Sequence, residues 1–472
     1  MPTWRRYLTY LTVALMPLSI NVGKFYSPPL KPQYRSPFDV LLPVLFLLML
    51  ADLFQRRPWA RFKWPPLPGI LWAALAILSC LWIERFPQGE TLNKWANGAL
   101  NPVFFSVLAI WVFQNITDDV AEVRRLALIL GSSIGVCLLW ALVQYLGPVG
   151  LPFDPSKPTQ DLQGVSNIRL GGWYDFRGLL GAQTAILVPA AAAFALLDGN
   201  SIVRWSALGF TLVGLVVTLS AGGFVGACAG LVAISAVLLT TTSFFKKADV
   251  GKITGLKLLI ALLLVISVVL PKLPRNNAAV VARGLSLYAD ADGEKKPTAR
   301  LRRLQASLDL FSAPVDPMNP NSPSYWQKGV GAGQFHERVN GFYQPQYRKP
   351  GARTDSEADF DMEAHEPFTF SLFETVAVEL GVPGLLIVLL FFGAWLVSGL
   401  KAFSCFADNP ERLLERELAL ASFGAGCGAL VLSLLGNPAI RGVGGSFAFF
   451  FAVAILCHSS STNAIGRLGA KP

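Results

Sequence analysis

The sequence predicts an all-α, polytopic membrane helical bundle of about twelve transmembrane helices with one large polar loop. Three observations predict it. Hydrophobic residues make up 53% of the 472-residue chain and charged residues 15%, where a soluble domain carries about a quarter. Mean hydropathy is +0.48. Apolar runs recur along the chain and no alternating β-barrel segments accompany them, so helices are the spanning elements.

The first run, MPTWRRYLTYLTVALMPLSI, has the charge and apolarity of a signal peptide. It lacks a small-residue cleavage site and reads instead as a first membrane helix. A helix crosses the hydrocarbon core with about 20 residues. On that basis the candidate spans are 8–22, 38–54, 69–83, 99–114, 126–146, 179–197, 206–220, 222–242, 258–271, 383–400, 416–435 and 443–458. An even number puts both termini on one side. The segment from Lys272 to Glu366 has no run long enough to span. The chain thus divides into membrane helices 1–9 (1–271), the large loop (272–366) and membrane helices 10–12 (367–472).

Charge sets the orientation, because Lys and Arg accumulate on cytoplasmic links. With the N-terminus inside, inner links hold 18 of the 40 basic residues, short outer links 9 and the large loop 13. Long loops are poor topology signals, so the 18-to-9 contrast decides. Both termini are expected inside and the 272–366 loop outside. The net charge of +10 therefore reflects membrane topology and argues against nucleic-acid binding. The six cysteines (Cys80, Cys137, Cys228, Cys405, Cys427 and Cys457) lie in or beside apolar runs and suit small buried side chains. No metal-ligand spacing occurs, and no cofactor is implied.

The outer connections carry the informative residues. The link 147–177 is rich in Gly and Pro and ends with Arg169, Asp175 and Arg177. Ser220-Ala221-Gly222-Gly223 joins two spans by a tight reversal. In the large loop, PTARLRRLQASLDLF spaces Leu301, Leu304, Leu308 and Phe311 as one face of a helix. GVGAGQF follows, turn-rich but without the Lys-Ser/Thr of a phosphate loop, then the acidic DSEADFDMEAHE. Arg169, Arg177, Arg300, Arg302, Arg303 and Arg441 are outer arginines that break the inward bias. Arginine binds phosphate through a planar two-donor fork, so this set suits an anionic group, or else the loop's own carboxylates. His365 ends the loop near Glu363, Glu366, Glu374 and Glu379; histidine takes a proton near neutral pH. His336 follows the glycine-rich turn. Loop aromatics (Tyr325, Trp326, Phe342, Tyr343, Tyr347) either stack on a bound ligand or pack the loop.

TARLRRLQASLDLF, then GVGAGQF, a histidine and SLFETVAVELGVPGLL resemble the core of the O-antigen ligase and polysaccharide polymerase (Wzy-type) family, over roughly 165–400. RLGGWYDFRGLLGAQTAILVPAAAAF and the large loop before the tenth span are similar too. The resemblance implies a GT-C-like, metal-independent glycosyltransferase of the bacterial inner membrane with its active site facing the periplasm. It would move a glycan from undecaprenyl diphosphate to an acceptor glycan or glycolipid. It implies Arg300, Arg169 and Arg177 as site residues; taken with the residue pattern above, the candidates are His365, Arg300 and Glu379 as catalytic residues and Arg169, Arg177, Arg303, Arg441 and His336 as substrate-binding ones. Two positions depart from the pattern. The family often has Ser-Arg-Gly where this chain has Ser220-Ala221-Gly222. Its histidine stands about nine residues before the glutamate that is here Glu379, which falls on Phe370, whereas His365 lies five residues further upstream. The departures favour a polymerase over a ligase that acts on lipid A-core. A transporter or flippase of lipid-linked glycan would show midplane charges and paired halves; neither is evident.

Overall fold

The computed structural model describes residues 3–17, 37–56, 63–83, 89–146, 159–160, 166–167, 177–197, 201–218, 220–240, 288–291, 294–297, 299–315, 324–335, 371–407, 409–436 and 443–469. It is a helical bundle. The helices are α1 (Thr3–Leu15), α2 (Pro37–Arg56), α3 (Leu67–Leu78), α4 (Gly89–Pro102), α5 (Ile110–Ile116), α6 (Val120–Leu146), α7 (Arg177–Leu197), α8 (Ile202–Thr218), α9 (Ala221–Thr240), α10 (Ala299–Ser312), α11 (Tyr325–Lys328), α12 (Leu372–Phe406), α13 (Leu413–Leu435) and α14 (Gly444–Gly469). A π-helical stretch, Val103–Ala109, joins α4 to α5 behind Pro102. Two short antiparallel ladders pair Thr159–Gln160 with Ser166–Asn167 and Tyr288–Ala291 with Glu294–Pro297.

Every expected apolar run except 258–271, which lies outside the described residues, overlaps a described helix. Among the described residues, six helices are long and apolar enough to cross a membrane: Gly98–Ile116, Val120–Trp140, Leu180–Leu197, Gly222–Thr240, Leu372–Phe406 and Leu413–Leu435. Four more apolar helices are shorter.

Small residues build the centre. Gly226 of α9 faces the Gly428 carbonyl of α13, and Gly230 faces that of Gly424; a Cβ there would sit 2.9 and 2.6 Å from those oxygens. Gly223 approaches the Gly181 carbonyl of α7 in the same way, at 2.6 Å. Lipid supplies no hydrophobic drive between helices, so backbones must come close for dispersion to hold them. Beside this seam, Trp395 of α12 stacks on Phe451 of α14 with centroids 5.6 Å apart. Its indole N–H donates to Ser422 Oγ at 3.1 Å, so the ring's one polar atom is satisfied inside the core.

One end of the bundle is ionic. Glu417, fully buried, receives the Arg204 guanidinium, which also donates to the Phe194 carbonyl at 2.9 Å; Arg124 Nε stands 3.6 Å from its other oxygen. Glu122 accepts from Tyr10 (2.7 Å) and Arg125 (3.1 Å) and forms an ion pair with Arg6 (3.2 Å). Lys63 pairs with Asp118 at 2.8 Å. These charges come from the starts of α1, α6, α8 and α13 and the approach to α3, all links that the charge count assigns to the inner side.

At the opposite end α12 breaks. Gly381 has φ 67° and ψ −168°, and Pro383 follows. Residues 382–406 rise about 37 Å and α13 about 35 Å at 1.5 Å per residue. The Leu372 N–H nevertheless donates to the Gly436 carbonyl, beyond the far end of α13 (2.9 Å). Both ends of the segment Leu372–Leu380 therefore lie at one end of the helix pair. The segment runs across the bundle end and does not continue along it.

Candidate functional site

The break in α12 creates the site's scaffold. Pro383 has no N–H, so the Glu379 carbonyl loses its helical donor, and the turn at Gly381 orphans that of Val378. Buried carbonyls want partners. GVGAGQF supplies them: Val330 N–H donates to Val378 and Gly331 N–H to Glu379, both at 2.9 Å. The loop also reaches α3, where Ala332 N–H donates to Ser79 Oγ at 2.9 Å. The Glu379 carboxylate in turn accepts from the backbone N–H groups of Gly333 and Phe335, the latter at 3.4 Å. Gly329 N–H goes to Tyr325 (2.6 Å) and Gln334 N–H to Gly331 (3.2 Å). Every amide from Gly329 to Phe335 thus has a partner within the protein. The loop spends its donors on bracing, which leaves it unlike a phosphate cradle.

Glycine permits the closeness. Gly329 has φ 76°, and a Cβ would lie 2.2 Å from the Glu379 carbonyl oxygen. A Cβ on Gly98 of α4 would lie 2.3 Å from the Gly333 nitrogen. The clasp therefore joins four parts of the chain: the end of α3, α4, the loop and the start of α12.

α10 lies over this clasp. Ala306 and Leu310 pack with Tyr325, Val330, Phe335 and Val378 in a small core of their own, separate from the main one. The helix is where its spacing placed it, but its buried face is different. Leu304 and Leu308 are exposed, while Ala306, Ser307 and Leu310 are buried. The smaller side chains let α10 sit close on Val378, and that tertiary contact overrides the leucine stripe. Tyr325 is buried packing and Trp326 is exposed.

Of the expected site residues, Glu379 is in the clasp. Arg300 and Arg303 lie within the first five residues of α10, the helix whose Ala306 and Leu310 pack on the same clasp. Arg177 starts α7, one turn before Gly181, whose carbonyl meets α9 next to the Ser220 reversal. His336 directly follows Phe335 in sequence. His336, His365, Arg169 and Arg441 lie outside the described residues, as do Phe342, Tyr343 and Tyr347. Glu374 is in a capping box with Ser371: Glu374 N–H donates to Ser371 Oγ at 2.8 Å, and Ser371 N–H to the Glu374 carboxylate at 3.4 Å. Sequence reasoning overlooked Ser79 and Gly98. Nothing distinguishes a lone serine or glycine in an apolar stretch until its distant partner is known. No protein-family model matches the chain, and no curated protein is significantly similar to it.

Proposed function

We propose that this chain is a glycosyltransferase of about twelve membrane spans, GT-C-like in class, that extends a bacterial surface polysaccharide at the outer face of the inner membrane. The observation that carries the reading is the clasp. It fixes GVGAGQF, and the start of the chain toward His336, at the bundle end opposite the ionic one, beneath the helix that bears Arg300 and Arg303. The donor is an undecaprenyl-diphosphate-linked oligosaccharide and the acceptor a glycan. The arginines, with Arg169, Arg177 and Arg441, hold the diphosphate and stabilise charge growing on the leaving group. His365 takes the proton from the attacking sugar hydroxyl. Deletion should remove long polysaccharide chains and leave a single capped repeat; bare lipid A-core would instead identify a ligase, and an unchanged glycan profile would end the reading.

Two further outcomes are expected. Arg300→Ala should abolish chain extension in a protein that still inserts, and Arg300→Lys should restore only part, because lysine cannot make the two-donor contact. Full extension by the alanine variant would remove Arg300 from the site. The concentration of Arg6, Arg125, Arg204 and Arg412 at the ionic end supports placing that end inside. Accordingly, Ser322→Cys, in a chain with its six cysteines replaced, should react with an impermeant thiol reagent in intact cells. Reaction only after lysis would reverse the topology.

A further inference from the structure

We propose that Glu379 is a positioning residue, not the base: its carboxylate anchors the loop Gly329–Phe335 and thereby sets where the chain leaves toward His336. Three features of the site carry this. The carboxylate faces backbone, with the N–H groups of Gly333 and Phe335 as its hydrogen-bond donors. The carbonyl of the same residue accepts from Gly331, so side chain and backbone of Glu379 grip one turn from two directions. Ser79 holds that turn from a third, through Ala332 N–H. A carboxylate so placed cannot swing to a sugar hydroxyl without giving up both of its backbone donors, which is costly for groups partly withdrawn from water. Held in place, it fixes the loop between α3 and α12 at no cost in reorganisation when substrate arrives.

The neighbouring carboxylate makes the contrast sharper. Glu374 is taken by its capping box, five residues before Glu379 on the same segment. Both acidic residues at the start of α12 thus serve backbone N–H groups, one at the helix start and one in the loop.

Two measurements on the full-length protein in nanodiscs and in cells test the proposal. Only the activity arm rests on the glycosyltransferase reading. Amide hydrogen exchange at Gly331, Ala332, Gly333 and Phe335 is compared in wild type, Glu379→Gln, Glu379→Ala and Ser79→Ala. Glutamine keeps the accepting oxygen, so it should retain most of the protection. The two alanine variants should exchange faster, on the order of tenfold or more for each lost acceptor. Polysaccharide chain length in cells is compared for the same variants. The expected result is that Glu379→Gln retains chain extension to within a few-fold, and that extension follows loop protection across the set. Loss of extension in Glu379→Gln with the loop still protected would make Glu379 the base and overturn the proposal. Wild-type protection in Glu379→Ala would also overturn it, since the loop would then need no anchor. If the wild-type gene supports no chain extension, the glycosyltransferase reading falls and the exchange data alone decide whether Glu379 is the anchor.

Discussion

Gly329→Ala should open the clasped end of the molecule and leave the bundle standing. Gly329 has φ 76° with ψ −178°, a region in which an L side chain costs about 1–3 kcal/mol. The added methyl would also lie 2.2 Å from the Glu379 carbonyl oxygen. That atom is backbone held by the kink, so the loop must move instead, with overpacking of about 1–3 kcal/mol more. The hydrogen bonds of Val330 and Gly331 to Val378 and Glu379 would go first. The expected signature is early proteolysis within the loop and faster amide exchange from Gly329 to Phe335, with the protection of α7 and α13 unchanged. Gly393→Ala is the control: it lies on α12 with nothing within 4 Å of the added carbon, and should be neutral or slightly stabilising, as alanine is in a helix. Wild-type protection of the loop in Gly329→Ala would show that the clasp is not held by this approach.

Glu417→Ala should cost about 3 kcal/mol of stability, at the lower end of what is lost when one partner of a buried pair is removed. Glu417 is fully buried, and its carboxylate gathers Arg204 from α8 and Arg124 from α6 onto α13. Without it two guanidinium groups face each other across a site with little water. The side chains of Arg204 and Arg124 are 18% and 30% exposed, so both gain some solvation, which holds the loss below the upper end of the range. Glu417→Gln keeps an acceptor for Arg204 without the charge and should fall between. Unfolding in a detergent titration checks this; a midpoint within error of wild type for Glu417→Ala would mean that the cluster is incidental to stability.

The bundle was readable because burial in lipid leaves a strong mark. Runs such as 383–400 and 416–435 carry no charge at all in their centres, and α12 and α13 stand there. The break in α12 was readable too: Gly381 and Pro383 flank it, each with a backbone reason to end a helix. The capping box at Ser371 and Glu374 has the Ser-x-x-Glu spacing that marks helix starts, although Glu374 attracts attention first as a possible ring partner for His365. What could not be read was anything settled by a contact across the chain. The choice of Ala306 and Leu310 over Leu304 and Leu308 depends on the shape of Val378 and Tyr325. Ser79 matters only because Ala332 arrives beside it. The arginines and histidines suit the proposed chemistry by type and position, but spacing alone does not bring them together.

The hydrogen bond between Ser79 and Ala332 also says something about biogenesis. The two residues are 253 positions apart, and Glu379 comes later still. As the chain emerges from the ribosome, α3 and α4 enter the membrane long before their partners in the clasp exist. The clasped end closes only when α12 has been made and has bent at Gly381. Until then the Ser79 hydroxyl and the flank of Gly98 face no loop, and the half-built protein is a set of inserted helices with an unsealed rim. Non-local closure of this kind is slow and exposes intermediates to proteases. Chains truncated between Phe335 and Ser371 should therefore insert their first helices normally and yet be degraded, because the loop then lacks the α12 side of the clasp.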